Sequence, residues 1–488
     1  MNTFYEPLLQ MEAFDQIREA LKKEERLQLI TGCVDSQKTH LMYGLGRDYP
    51  VKLILTYSEL KAKEIFEEYQ TLKEDVFYYP AKDFLFFRAD IQGNELLRQR
   101  VMAVSRLLEK GKAVIVTTLD GCMDPLLPLE TLRSFVMNIG VGSVLETEAV
   151  KLRLVRMGYE RVGQVEMPGQ FAIRGGIIDI YPLTEEYPVR VELWDDEVDS
   201  IRSFDAESQR SLENLDELTL YPAAELNPEE QHCEGVSLLD YMKSFSSLVF
   251  LDEGGRLLER GETVEKEYMQ NYENRMEKGE IPKNQPKEIF TCAEMVHRLN
   301  HVRGAALGTL ETSEKRLEFH NRFSMDTRSV QPYNNHFELL VKDLKRWKKE
   351  KYRVVLLCAS RTRGRRLAED LLKEDLNGFY SEDPERVVQP GEIMVVHGNV
   401  KRGYEYPLIR FAVISETDVF GQEKKKVRKK HRAYEGRKIA SFTDLSVGDY
   451  VVHENHGLGI YRGIEKIEVD HTVKDYMKIE YSKGSFLY

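Results

Sequence analysis

Short apolar runs alternate with helix-length stretches through the amino-terminal part of the chain. Leu27 to Thr31 (LQLIT), Lys52 to Thr56 (KLILT), Val76 to Tyr78 and Ala113 to Thr117 (AVIVT) are strand-like. Between them, a helical pattern starts at Lys38 (KTHLMYGLG), and others cover Glu59 to Leu72 and Glu95 to Glu109. Unbroken apolar strands separated by helices predict an open parallel sheet with right-handed crossovers. From about Leu129 the pattern becomes short strands punctuated by glycine, FAIRGGIIDIYP and then YPVRVELWDDEVDSIRSFD, which predicts a β-rich insertion. In Val189 to Trp194 the alternation is strict: Val189, Val191 and Leu193 share one face, and Arg190, Glu192 and Trp194 the other. A further α/β unit follows, with helices near Phe337 to Lys349 and Arg363 to Lys373 and apolar runs at Val354 to Cys358 and Phe411 to Ile414. The last stretch, from LSVGDYVVHENHG onward, has short alternating strands joined by glycine turns and predicts a small β-barrel.

Length and composition narrow the classes. At about 100–200 residues per domain, 488 residues imply several domains, and 42% hydrophobic with 31% charged residues is ordinary globular composition. The formal charge is −12, from 82 acidic and 70 basic residues, so any nucleic-acid contact must be local. One segment could make it: Lys424 to Lys438 (KKKVRKKHRAYEGRK), which can equally be a solvated linker. The cysteines Cys33, Cys122, Cys233, Cys292 and Cys358 include no CxxC pair, which argues against a zinc site or disulfide framework and for a reducing cytoplasm. His453 and His456 form an HxxH in a glycine-rich stretch without further ligands, which reads as a turn rather than a metal site. Neither a signal sequence nor an apolar run of the roughly 18 residues needed to span a membrane is evident.

Two elements bear on nucleotide chemistry. Gly32-Cys-Val-Asp-Ser-Gln37-Lys38-Thr39 fits the phosphate loop GxxxxGK[ST] except at Gln37, where the second glycine belongs. A side chain there removes the clearance the backbone needs to wrap a phosphate. Lys38 and Thr39 remain spaced to meet a phosphate and Mg²⁺. Leu248 to Glu253 (LVFLDE) has the shape of a Walker B strand ending in Asp252 and Glu253. The readings are a working ATPase or a helicase-like scaffold that has lost its nucleotide. GVG at Gly140 to Gly142 lacks the third glycine of a dinucleotide fingerprint. On the hairpin, Trp194 beside Arg190 suggests docking, since Trp and Arg dominate interface hot spots; a Trp covering a neighbouring domain or packed on Arg190 is the other reading.

RGGIIDIYPLTEEYPVRVELWDDEVDSIRSFDAESQRS resembles the second domain shared by UvrB, the bacterial excision-repair helicase, and the transcription-repair coupling factors. UvrB has an intact phosphate loop followed by an aromatic-rich hairpin; here Gln37 breaks the loop and no comparable hairpin is evident, so the coupling-factor family is preferred. The resemblance implies an α/β multidomain chain. Its expected parts are a degenerate helicase-like domain (1–128, resuming at 223–330), an inserted UvrA-binding domain (129–222), an α/β third domain (331–423), a basic linker (424–442) and an incomplete SH3/Tudor-like barrel of the CarD-like, polymerase-interacting kind (443–488).

The family's UvrA-contacting positions fall on Arg174, Arg190 and Trp194, and its polymerase β-subunit contact on the strand holding Ile464, Lys466 and Ile467. The resemblance further implies no cofactor and no catalysis for this chain. ATP, Mg²⁺ and double-stranded DNA would be handled by motor domains expected beyond Tyr488, and no membrane is involved. The alternatives are an ATP-dependent UvrB-like DNA helicase or damage-recognition enzyme, and a DNA-binding module using Lys424 to Lys438.

Overall fold

The computed structural model describes residues 2–23, 26–72, 75–82, 94–225, 233–279, 289–311, 314–383, 385–421, 446–453, 457–469, 472–481 and 486–487. Seven strands form one parallel sheet in the spatial order Phe319–Ser324, Leu27–Thr31, Gly304–Leu307, Ser247–Asp252, Val51–Thr56, Ala113–Thr118 and Val76–Tyr78. Strands from both sides of the β-rich insertion therefore share one sheet. Alternation along these buried strands feeds two cores. Leu53, Val249 and Leu251 face the helix Gly254–Glu277, while Ile54, Leu248 and Phe250 face a layer containing the helices Glu12–Lys23, Asp35–Leu45 and Glu59–Thr71.

That helical layer is covered a second time. A six-stranded sheet, in the order Arg328–Ser329, Tyr404–Tyr406, Phe411–Ser415, Arg353–Cys358, Ile393–His397 and Gly378–Ser381, sends Val355, Leu357, Tyr404, Tyr406 and Phe411 into the same core as Phe14, Leu41 and Phe250. Its other face holds the helices Phe337–Lys349 and Arg361–Lys373 through Leu344, Trp347, Leu367 and Leu371. The third unit is thus fused to the first rather than tethered beside it. Every residue from Ser36 to Leu45 is buried, because this helix lies between two sheets.

The insertion is a second six-stranded sheet, ordered Ser211–Leu215, Glu197–Phe204, Val189–Trp194, Ile177–Ile180, Gln170–Arg174 and Glu160–Arg161. It packs through Ile178, Ile180, Val189, Val191 and Ile201 against Leu154 and Val101, the last from the first-domain helix Asn94–Lys110. Leu129 belongs to the first core, and the insertion's own pairing begins where Met137–Gly140 meets Glu217–Leu220. The carboxy-terminal strands Tyr450–His453, Gly457–Val469, Thr472–Glu480 and Phe486–Leu487 form an antiparallel sheet around Val451, Tyr461, Ile479 and Tyr481.

A buried ion cluster marks the junction of first domain and insertion. Arg100 Nη2 lies 2.5 Å and Lys82 Nζ 2.8 Å from Asp124 Oδ2, and both cations also reach the Glu225 carboxylate. Burial alone would raise the Glu225 pKa, but Arg100 and Lys82 hold it down at about 2 against an ordinary 4.5. A depressed folded-state pKa contributes stability above the unfolded value and loses it as pH falls through the folded one. Unfolding followed by circular dichroism is therefore expected to set in as pH falls from about 4.5 towards about 2. Glu225→Gln should flatten that dependence while lowering stability at pH 7.

Candidate functional site

The phosphate-loop segment begins as the motif requires. Gly32 has φ +74°, and a Cβ there would lie 2.1 Å from the Met325 carbonyl oxygen, so the turn demands glycine. It then departs from the motif. The helix starts at Asp35 rather than at Lys38, with Val34 as its N-cap. The amides of Gln37 and Lys38 bond to the Val34 carbonyl at 2.9 and 3.3 Å. Backbone donors that would encircle a phosphate close a helical turn instead.

Gln37 is a structural member of this arrangement. Its Oε1 accepts from the Val34 amide at 3.2 Å, and its Nε2 donates to the Tyr406 hydroxyl at 3.0 Å. That hydroxyl lies 2.9 Å from His40 Nδ1, while His40 Nε2 lies 2.6 Å from the Phe4 carbonyl oxygen. A carbonyl only accepts, so Nε2 carries the proton and Nδ1 accepts from Tyr406. Burial lowers the His40 pKa to about 4, keeping the ring neutral in this relay. Restoring the motif by Gln37→Gly is expected to cost about 2–3 kcal/mol, from two lost hydrogen bonds and a glycine in a helix. Urea denaturation should show that loss, and ATP–Mg²⁺ titration should show no gain of binding.

The remaining motif groups are paired within the chain. Lys38 Nζ bonds to Asp252 Oδ1 at 2.9 Å and to Glu253 Oε1, and Thr56 Oγ1 donates to Asp252 Oδ2 at 2.8 Å. Burial would lower the Lys38 pKa, but the two carboxylates overcome it and hold the pKa above the ordinary lysine value. Burial would likewise raise Glu253, yet Lys38 and Thr309 hold its carboxyl below the usual range. Thr39, at the Mg²⁺-ligating position of the motif, and Ser36 both donate to the buried Glu68. Glu68 also accepts from the Lys401 amide at 2.9 Å, and the Arg402 amide donates to Ser36 Oγ at 3.1 Å. Burial pushes the Glu68 carboxyl up, partly countered by these donors. The donor set does not fit a bound triphosphate, because its own side chains already satisfy it.

The hairpin differs in being open to solvent. Trp194 ends the strand Val189–Trp194 and is 81% exposed, whereas Val189 and Val191 are buried and Leu193 is half-buried. Arg190 lies on the Trp194 face, but it is anchored rather than free. Asp179, directly opposite it in register and 1% exposed, accepts from Arg190 Nε and Nη2 at 2.6 and 2.9 Å. Arg174 Nη2 shares the same carboxylate at 2.6 Å. Arg190 also donates to Gln209 Oε1 at 3.0 Å and stacks over Phe204, with 4.5 Å from Cζ to ring centroid. The cation–π partner is thus Phe204 and not Trp194. Arg174 keeps about half its side chain in solvent, and the bond to Asp179 holds the Arg190 pKa above its ordinary value. One buried carboxylate thus fixes two guanidiniums on a hairpin whose indole is left in solvent.

Of the other sequence candidates, Ile464 is exposed on the strand Gly457–Val469. Lys466 and Ile467 lie on that strand opposite Asp475 and Lys474, with side chains outside the described residues. Lys424 to Lys438 and His456 also lie outside them. Among the described residues, no group of three or more His, Cys, Asp or Glu side chains is arranged to hold a metal, and no helix is long and apolar enough to cross a membrane. Asp179, Glu68 and Tyr406 escaped the sequence reading. Only Asp179 left a signal there, as a lone carboxylate alternating with isoleucines in IIDI.

These features are those of a mixed α/β multidomain protein with a UvrB-like module. Residues 137–226 match the UvrB interaction domain family, and residues 445–488 match the CarD-like/TRCF RID domain family. The chain is similar to the transcription-repair-coupling factor of Bacillus subtilis (strain 168), at 31% identity over 97% of this chain and 45% of that protein. Its counterpart from Staphylococcus epidermidis (strain ATCC 12228) is 28% identical over 97% and 45% of the two chains, and that of Staphylococcus haemolyticus (strain JCSC1435) 27% over 94% and 44%. The chain therefore belongs to the transcription-repair-coupling factor family and corresponds to its amino-terminal portion. It spans about half the length of the relatives it matches, at 45%.

Proposed function

We propose that this chain is the partner-recruiting part of a transcription-repair coupling system: it docks UvrA through Arg174, Arg190 and Trp194 and engages the RNA polymerase β subunit through the strand bearing Ile464, Lys466 and Ile467. In this reading the inserted sheet is the UvrA-binding domain and the carboxy-terminal sheet is part of an SH3/Tudor-like barrel. The closed phosphate loop takes no nucleotide, and ATP-driven translocation on DNA, with its Mg²⁺, belongs to motor domains of the longer family members. The setting is the cytoplasm.

The observation carrying the proposal is Trp194, exposed at 81% in the UvrB interaction domain beside two arginines that Asp179 orients. A large indole left in water contributes nothing to the fold, whereas covering it in an interface would place a hot spot there. Immobilised chain is expected to retain purified UvrA, and Arg190→Ala combined with Trp194→Ala to abolish retention. Retention unchanged in the double variant would end the docking claim.

A further inference from the structure

The outer face of the insertion carries a second apolar residue that the family motif does not include. The turn after Met137–Gly140 runs alongside the start of the strand Glu197–Phe204: Gly142 N donates to Val198 O at 2.8 Å, Val198 N to Ser143 O at 2.9 Å, and Leu145 N to Asp196 O at 2.7 Å. Val144 is bridged to Glu197, and Glu197 is paired with Trp194 across the hairpin. Residues directly opposite one another in antiparallel pairing share a face. Trp194, Glu197 and Val144 therefore form one cross-strand row, and its two apolar ends are 81% and 77% exposed.

The charge around this row is acidic. Asp195, Asp196 and Glu197 are all exposed at the hairpin tip, and none has a cation partner among the described residues. The two nearby arginines, in contrast, share the charge of Asp179. A valine this exposed adds nothing to the core, yet beside Trp194 it widens the apolar spot into a bipartite anchor with a carboxylate between its ends.

From this geometry we infer that Val144 is a further partner-contacting residue, and that the surface received here is an apolar pocket of UvrA flanked by lysine or arginine side chains. The inference rests on the docking reading above: Val144 and Trp194 enter the pocket together, and the carboxylates at the hairpin tip meet the basic rim. Burying the row brings those carboxylates out of water, which only a basic rim offsets.

The test is the affinity of the whole chain for purified UvrA by titration calorimetry at two salt concentrations, with circular dichroism confirming that each variant is folded. Val144→Ser is expected to weaken binding about tenfold. Asp195→Asn combined with Asp196→Asn should weaken it at low salt and flatten its salt dependence. Val155→Ser, an exposed valine on the separate helix Thr147–Arg156, should leave it unchanged. Full affinity in Val144→Ser, with binding lost in Trp194→Ala, would overturn this inference and leave the docking reading intact. Wild-type chain that does not bind, or Trp194→Ala that binds fully, would overturn both. A salt dependence that survives the two asparagines would refute the basic rim.

Discussion

Lys38→Ala is expected to lower the stability of the first domain by about 3–5 kcal/mol, the usual consequence of removing one partner from a buried ion pair. Lys38 Nζ lies between Asp252 and Glu253, and the Asp252 side chain is 1% exposed. Without the ammonium, Asp252 keeps the Thr56 hydroxyl as its one side-chain donor among the described residues, while Glu253 retains Thr309. Asp252 is then left as a buried carboxylate without its counter-ion. Adding Asp252→Asn to Lys38→Ala should recover part of the loss, because a neutral amide is cheaper to bury than an unpaired carboxylate. Urea denaturation of the three proteins reads this directly. An ATP-dependent helicase makes the opposite forecast: saturable nucleotide binding by wild type, abolished by Lys38→Ala with the denaturation midpoint unchanged.

Asp179→Ala is expected to have the largest effect within the insertion, about 2–4 kcal/mol of stability, together with loss of UvrA retention. The figure is discounted from that of a fully buried pair because Arg174 is half in solvent. Arg190 would keep Gln209 and the Phe204 ring but lose both bonds that set its guanidinium plane, and Arg174 would lose its ion pair. Asp179→Asn, which keeps one acceptor, should fall between wild type and alanine. Trp194→Ala is the informative contrast, since an exposed indole can be removed with little change in melting temperature while binding is lost. If Asp179→Ala melted like wild type and still retained UvrA, Asp179 would have no positioning role.

Much of this arrangement was written locally. The strands at Leu27, Lys52 and Ala113 and the helix at Phe337 to Lys349 announced themselves by runs and periodicity, and alternation in VRVELW separated Val189 and Val191 from Arg190 and Trp194. The broken phosphate loop was legible as the single residue Gln37. Its meaning was not: Gln37 looked like a missing glycine, and the structure makes it the anchor of Tyr406, 369 residues away. The helix expected from Lys38 begins at Asp35 because the cap and the third unit draw the preceding residues into it. Alternation alone puts Arg190 on the Trp194 face, while its immobilisation depends on which strand pairs with Val189–Trp194.

The chain's own order of residues thus determined which elements form, which face of each strand is apolar, and that a tryptophan and two arginines belong to the insertion. Backbone geometry repeats every two residues in a strand and about every 3.6 in a helix, so such information is local. Only the tertiary structure decided that Lys38, Thr39 and Ser36 are satisfied by Asp252, Glu253 and Glu68, that one helix is enclosed by two sheets, and that Val144 stands in a row with Trp194. The physical reason is that a buried polar group takes its partner from whatever the packed chain brings within about 3 Å, and that neighbour is set by how sheets stack rather than by what lies nearby along the polypeptide.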